Sequence, residues 1–316
     1  MEEYTKPPLT IDKQLELLKS RGVIVTDDTF ALHILANVSY YRLTAYLYPF
    51  RKKDGSDMFE PGTSIEKIWR YYRFDRKMRF LLIDAIERIE VAVKALLANH
   101  FTLTYGAFGY NDITNFATKA DVKRHSEMLT FIDTEITKSK EDFILHFKKK
   151  YDTSKGLPLW MATEIMTFGN ILTFFRLMKK KDKQVIANPF GIPEQVFETW
   201  LLSLHYIRNV CAHHGRVWNR KLAVSPCLPK KLSEWHEEKF PVEQSRIYSI
   251  LSISRFLLKT IVPQSKWPTR LKKLLDDFPD MPRDSMGIPA DYEQSAIWKS
   301  EEDIDKIDDS ETEIKS

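Results

Sequence analysis

"IEKIWRYYRFDRKMRFLLIDAIERIEVAVKALLANHF", residues 65–101, decides the fold class. It holds neither Pro nor Gly and repeats apolar residues at helical spacing, which predicts one helix from about 64 to 99. Thr63 and Glu66 open it in a capping-box pattern. Upstream, Thr10 is a candidate cap for a helix with an apolar stripe at Ile11, Leu15 and Leu18, and Gly22 is its stop. Asp27 or Asp28 caps a second helix and Ser39 starts a third. Downstream, the aromatic, Gly-containing segment 100–118 reads as an ordered connection, followed by helices around 119–138 and 141–150. "LWMATEIMTFGNILTFFRLMKK" is apolar almost all round, which predicts a buried helix, with Gly169 marking the close approach of a neighbour. "NPFGIP" leads into a helix over 194–214, and a last pair lies near 243–261 and 268–277. Lys148–Lys150 and Lys179–Lys181 read as lysine-rich loops, and only "GVIVTD" has the pattern of a strand. The expected class is all-α. The expected organisation is an N-terminal helical region (1–60), a main helical bundle (61–265), and a C-terminal helix with an acidic tail (266–316).

Composition narrows the function classes. A hydrophobic fraction of 43% suffices for a core, and 29% charged residues favour solubility. No apolar run approaches the roughly 18 residues of a membrane span. "MEEYTKPPLT" lacks the basic and apolar regions of a secretory signal. Two cysteines, Cys211 and Cys227, fit a reducing compartment, so a cytoplasmic location is expected. The net charge of +4 hides an asymmetry. Residues 301–316 carry eight acidic and two basic side chains, whereas residues 1–300 carry 46 Lys and Arg against 36 Asp and Glu. A basic body with an acidic tail, read as disordered, fits a protein that meets polyanions.

The titratable side chains concentrate in "HYIRNVCAHHGRVWNR", residues 205–220. At about 100° per residue, Val196, Trp200, Leu204, Ile207 and Cys211 share one apolar stripe. His205, Asn209 and His213 lie at i, i+4, i+8 on the other side, and Gly215 is placed to end the helix at C′. His213 falls in the last turn, where the helix dipole favours a protonated ring, and Arg208 can grip a phosphate through two N–H groups. Three readings stay open. Cys211, His213 and His214 are donor types for a metal, but they radiate from one turn and form no convergent spacing. Cys211 as a nucleophile sits on the apolar stripe, where a thiol is usually inert. Arg208 with His213 can do acid–base chemistry on a phosphodiester, or simply form a polar helix face.

"IRNVCAHHGRVWNR" resembles the R-N-x-x-x-H signature of HEPN-type nucleases, as carried by Abi-like bacterial abortive-infection proteins. "LANVSYYRLTAYLYPFR", "YRFDRKMRFLLIDAIERIEVAVK" and "LPLWMATEIMTFGNILTFF" resemble further blocks of that family, in order over about residues 10–260. The resemblance implies a HEPN-like helical bundle with an N-terminal helical extension, a role against phage, and endoribonuclease activity. Carried onto this chain, it marks Arg208, Asn209 and His213 as catalytic. His214 also satisfies a looser spacing, and Arg216, Trp218 and Asn219 match the downstream pattern, the last two in structural roles. Glu90, and less so Glu87, is placed to hold Arg208 by a carboxylate–guanidinium pair. Arg70, Arg73, Arg76, Lys77 and Arg79, interleaved with aromatics, are candidate RNA contacts. Tyr40 and Tyr41 read as packing between helices.

No metal or other cofactor is expected, because RNA supplies its own 2′-OH nucleophile beside the scissile phosphate. One chain holds one Arg/His set, so a two-fold homodimer lining a shared cleft is expected. Such an enzyme needs restraint in its host, for which a structured noncoding RNA is the candidate, as in a toxin–antitoxin system. The rival readings are a non-catalytic RNA-binding scaffold and a module that senses a phage component.

Overall fold

The computed structural model describes residues 3, 5, 7–119 and 121–299; the acidic segment 301–316, expected to be disordered, lies outside the described residues. Among the described residues the architecture is all-α, with twelve α-helices, short 3-10 turns and two isolated β-bridges. The chain forms two compact units, Met1–Phe80 with Lys273–Met281, and Leu81–Lys272 with Pro282–Ser316.

The first unit holds α1 (Ile11–Ser20), α2 (Asp28–Val38), α3 (Tyr40–Leu47) and the start of α4 (Ile65–Tyr105). Thr10 caps α1 by accepting from the Lys13 N–H. α1 ends in a Schellman motif: Gly22 at φ +87 places its N–H on Lys19 O, and Val23 N–H reaches Leu18 O. Asp27, not Asp28, caps α2, and Ser39 caps α3. The expected capping box at α4 is absent. Ser64 accepts from the Lys67 N–H, Thr63 bonds back to Glu60 O, and Glu66 accepts from Thr26 Oγ1 at 2.8 Å. Residues 24 and 64 pair in an isolated bridge that draws Glu66 towards Thr26, which is all that "GVIVTD" yields of a strand.

A polar network crosses the unit's core. Tyr46 Oη donates to Asp75 Oδ2 at 2.7 Å, and Arg79 donates to both Asp75 and Tyr46. All three are buried. Burial, reinforced by the Asp75 carboxylate, pushes the Tyr46 hydroxyl well above the ordinary tyrosine value, so it stays a donor. Two sequence expectations fail here. Arg79 is enclosed in this network and presents no surface to RNA. Tyr40 is half-buried and accepts from Arg21 at 2.9 Å, but Tyr41 is 87% exposed rather than packed between helices.

The second unit contains the rest of α4, then α5 (Val122–Lys138), α6 (Asp142–Lys150), α7 (Leu159–Ile165), α8 (Phe168–Leu177), α9 (Lys180–Ala187), α10 (Glu194–Ala212), α11 (Ile247–Ile261) and the start of α12 (Trp267–Asp277). α4 overruns its expected end by more than a turn and a half because no breaker intervenes before Gly106. The single helix expected after residue 158 is two. Thr167 Oγ1 accepts from Asn170 N–H while Asn170 Oδ1 accepts from Thr167 N–H, a reciprocal cap that starts α8 afresh. The two lysine-rich loops are also helical. Lys148–Lys150 form the last turn of α6, where cations suit the dipole, and Lys180–Lys181 open α9 beside Asp182.

α10 packs against α8, α9 and α11. It therefore buries more than the expected stripe: Phe197, Leu201 and Ser203 join Trp200, Leu204, Ile207 and Cys211, while Val196 is half-buried. Trp200 Nε1 donates to Cys227 O at 2.7 Å, and Cys227 N–H donates to Thr199 Oγ1 at 3.0 Å. These bonds tie the irregular segment after α10 back onto the helix.

Candidate active site

The site grows from the last two turns of α10 and the cap beyond. Ala212 is the last helical residue and His213 is the C-cap, its N–H on Asn209 O at 3.0 Å. Gly215 was expected at C′, but His214 occupies that position at φ +58. The bonds are those of a Schellman motif: His214 N–H to Cys211 O at 3.0 Å and Gly215 N–H to Val210 O at 2.7 Å. Gly215 is needed for closeness instead. A Cβ there would lie 3.0 Å from Val210 Cγ1 and 3.1 Å from Val210 O.

α1 closes with the same bond pattern and uses glycine at C′; α10 uses histidine. The left-handed region costs an L side chain about 1 kcal/mol, less for residues such as His and Asn that tolerate it. His214→Gly relieves that cost but adds chain entropy to the unfolded state, so stability in urea denaturation is expected to stay within about 0.5 kcal/mol of the parent. A larger loss of stability would mean that the imidazole anchors the turn.

Asn209 sits between two partners. Its Nδ2 donates to His205 Nε2 at 3.1 Å, and its Oδ1 accepts from Arg208 Nη1 at 3.4 Å. The amide thus makes His205 Nε2 an acceptor and places that ring's proton on Nδ1. Burial depresses the His205 pKa, with the Arg208 and Arg176 charges adding to the effect and Glu90 opposing it. His205 is neutral at physiological pH.

The 205–213 side, opposite the apolar stripe, is clear of the chain's own core only in part. The Phe168 ring meets His205 edge-on at 5.9 Å, and a Cβ on Gly169 would come within 3.2 Å of His205 Nε2. The neighbour that Gly169 admits is this histidine. His205, Arg208 and Asn209 are half-buried, and His213 is exposed. Among the described residues, neither the His213 ring nor Arg208 has a carboxylate partner.

The remaining sequence candidates scatter. Glu90 was expected to hold Arg208, but its carboxylate pairs with Lys94, one turn along α4, at 3.1 Å. Arg216 lies 5.8 Å from the centre of the buried Trp218 ring, and Asn219 adopts φ +48. Arg220, which the sequence did not single out, donates to Arg216 O at 2.7 Å and to Tyr206 Oη at 3.0 Å, pinning the turn to α10. In the first unit, Arg70 pairs with Asp280 at 2.7 Å and stacks on Phe278. Arg73, Arg76 and Lys77 are exposed, with Arg76 over Phe80 and Lys77 over Phe278. Cys211 is buried in the α10 packing face. Among the described residues, no three His, Cys, Asp or Glu side chains are grouped to hold a metal ion.

A family model described as "Abi-like protein" matches residues 33–219, more than half of the chain and inclusive of the whole α10 terminus. The chain belongs to the Abi-like protein family. That membership associates this Abi-like protein with abortive infection, a defence against phage, and is compatible with nuclease activity. Its matched region starts within α2 and ends on Asn219, the last residue of the turn that follows His213. The Abi-like chain matches no curated protein and no solved structure. No helix among its described residues is long and apolar enough to cross a membrane.

Proposed function

We propose that this Abi-like protein is a HEPN-type, metal-independent endoribonuclease of an abortive-infection or toxin–antitoxin system. The observation that carries this reading is Arg208: a half-buried guanidinium with no carboxylate partner among the described residues, steadied by Asn209, with an exposed histidine at the adjoining helix end. An arginine held so is a ready-made site for a phosphate, which it grips through parallel N–H donors. His213 takes the proton of the RNA 2′-OH or returns one to the 5′-oxygen leaving group, and Arg208 offsets the charge that builds on phosphorus. The 2′-oxygen bonds to phosphorus as the P–O5′ bond breaks, leaving a 2′,3′-cyclic phosphate and a 5′-OH.

In-line displacement is served best by two opposed acid–base groups. A two-fold homodimer supplies them by bringing the α10 termini of two copies to one cleft. A cytoplasmic enzyme of this kind is harmless only when restrained, and a structured noncoding RNA suits the basic body as its inhibitor. The expected result is cleavage undiminished by EDTA, with cyclic-phosphate and 5′-OH ends seen by end-specific labelling. Ends bearing 3′-OH, or activity abolished by chelation, would contradict the mechanism.

A further inference from the structure

The exposure of Tyr41 points to a second site in the first unit. α3 buries Leu43, Tyr46 and Leu47, and Tyr46 is bolted to Asp75 and Arg79, so the helix is a rigid support. On its outer side Tyr41, Ala45 and Tyr48 follow at i, i+4 and i+7. The two tyrosines are 87% and 70% exposed, with the small Ala45 between them. The backbone stays helical through Tyr48, at φ −50 and ψ −42, so the two positions lie within about 20° of each other and about 10 Å apart along the axis. That distance is about three intervals of 3.4 Å, the rise of stacked bases.

Beyond Tyr48 the chain makes a tight turn whose ends pair at Arg51 and Phe59. A cavity of about 420 Å³ opens there, lined by Tyr48, Pro49, Arg51, Lys52, Lys53, Gly55 and Ser56. Both carboxylates of the turn are engaged: Asp57 by Arg21 at 2.8 Å and by Arg51, and Asp54 by Ser56. Lys53 is exposed and Lys52 half-buried with its charge felt by Asp54, and neither forms an ion pair among the described residues. Exposed rings in line, followed by lysines outside any ion pair, form the pattern that holds single-stranded nucleic acid: bases on π-faces, phosphates on lysines.

We propose that Tyr41, Tyr48 and the Lys52–Lys53 turn form a docking platform for single-stranded RNA, separate from the α10 terminus. The inference rests on reading the chain as an RNA-directed enzyme and names how unpaired RNA is held. The charge of the turn favours RNA over a protein partner.

The test uses the full chain and a short 2′-O-methylated single strand, which binds but lacks the nucleophile for cleavage. Replacing both tyrosines by alanine (Tyr41→Ala, Tyr48→Ala) is expected to weaken binding at least about tenfold without changing its salt dependence. Tyr41→Phe with Tyr48→Phe, which keeps the rings, holds affinity within about twofold of the parent. Lys52→Ala with Lys53→Ala lowers the slope of log affinity against log salt by about 1.4. Unchanged affinity in the alanine pair overturns the proposal, as does a loss that phenylalanine fails to rescue. So does an alanine pair that loses a protein contact while keeping the oligonucleotide. Because the probe cannot be cut, a chain that needs its tyrosines to bind but cleaves no RNA sinks the nuclease reading alone.

Discussion

His213→Ala is expected to slow RNA cleavage by about 100- to 10,000-fold while leaving RNA affinity within a few-fold of the parent. The ring projects from the C-cap of α10, is exposed, and makes no hydrogen bond among the described residues, so its removal leaves no hole in the core. On the proposed reading the phosphate is gripped by Arg208, which the substitution does not touch. Expression should therefore turn from toxic to tolerated with the protein still folded and still bound to RNA. A scaffold that merely clamps a phosphate between Arg208 and His213 behaves otherwise: affinity and toxicity fall together. Measuring both on one variant separates the enzyme from the scaffold. His214→Ala supplies the comparison, because the turn geometry presents that ring from a left-handed position one residue on.

Asp75→Ala is expected to destabilise the first unit by about 3–5 kcal/mol in chemical denaturation. The carboxylate is fully buried and neutralises Arg79, and it also accepts the Tyr46 proton. Without it the Arg79 guanidinium loses its counter-charge and the Tyr46 hydroxyl loses its acceptor, both in the core. The cost arises from the orphaned partners more than from the lost pair. Replacing the whole trio by apolar residues of similar volume (Asp75→Leu, Arg79→Met, Tyr46→Phe) should recover most of the loss. If Asp75→Ala cost under about 1 kcal/mol, water would be reaching Arg79 and the network would not be the anchor of α3.

The caps and breakers of this chain were legible wherever one residue type has one physical use. Thr10, Asp27 and Ser39 start helices as their side chains dictate, and Gly22 ends α1. The misses share a cause: a local signal overruled by what lies across the fold. Asn170 substitutes for the expected Glu or Gln of a capping box, so the α7–α8 break hid inside an apolar run. Glu66 looked like a box partner but is drawn to Thr26 by the pairing of residues 24 and 64. Arg79 was one of five basic candidates for RNA contact on α4, and only the fold shows that Asp75 pulls it inward. At the site, helical spacing put Arg208, Asn209 and His213 on the same end of α10. It could not show that α8 covers His205, although Gly169, lone in a bulky helix, was the trace of that contact. Nor could it tell that His214 rather than Gly215 takes the left-handed position, because a Schellman end needs a tolerant residue and the chain offered two side by side.

The central claim, that Arg208 and His213 act as one unit on a phosphodiester, is tested most directly by single-turnover cleavage rates of Arg208→Ala, His213→Ala and the double variant. Groups that work in one transition state are grossly non-additive, so the double variant is predicted to cleave within a few-fold of the slower single variant. Either single variant cleaving at nearly the parent rate would contradict the account.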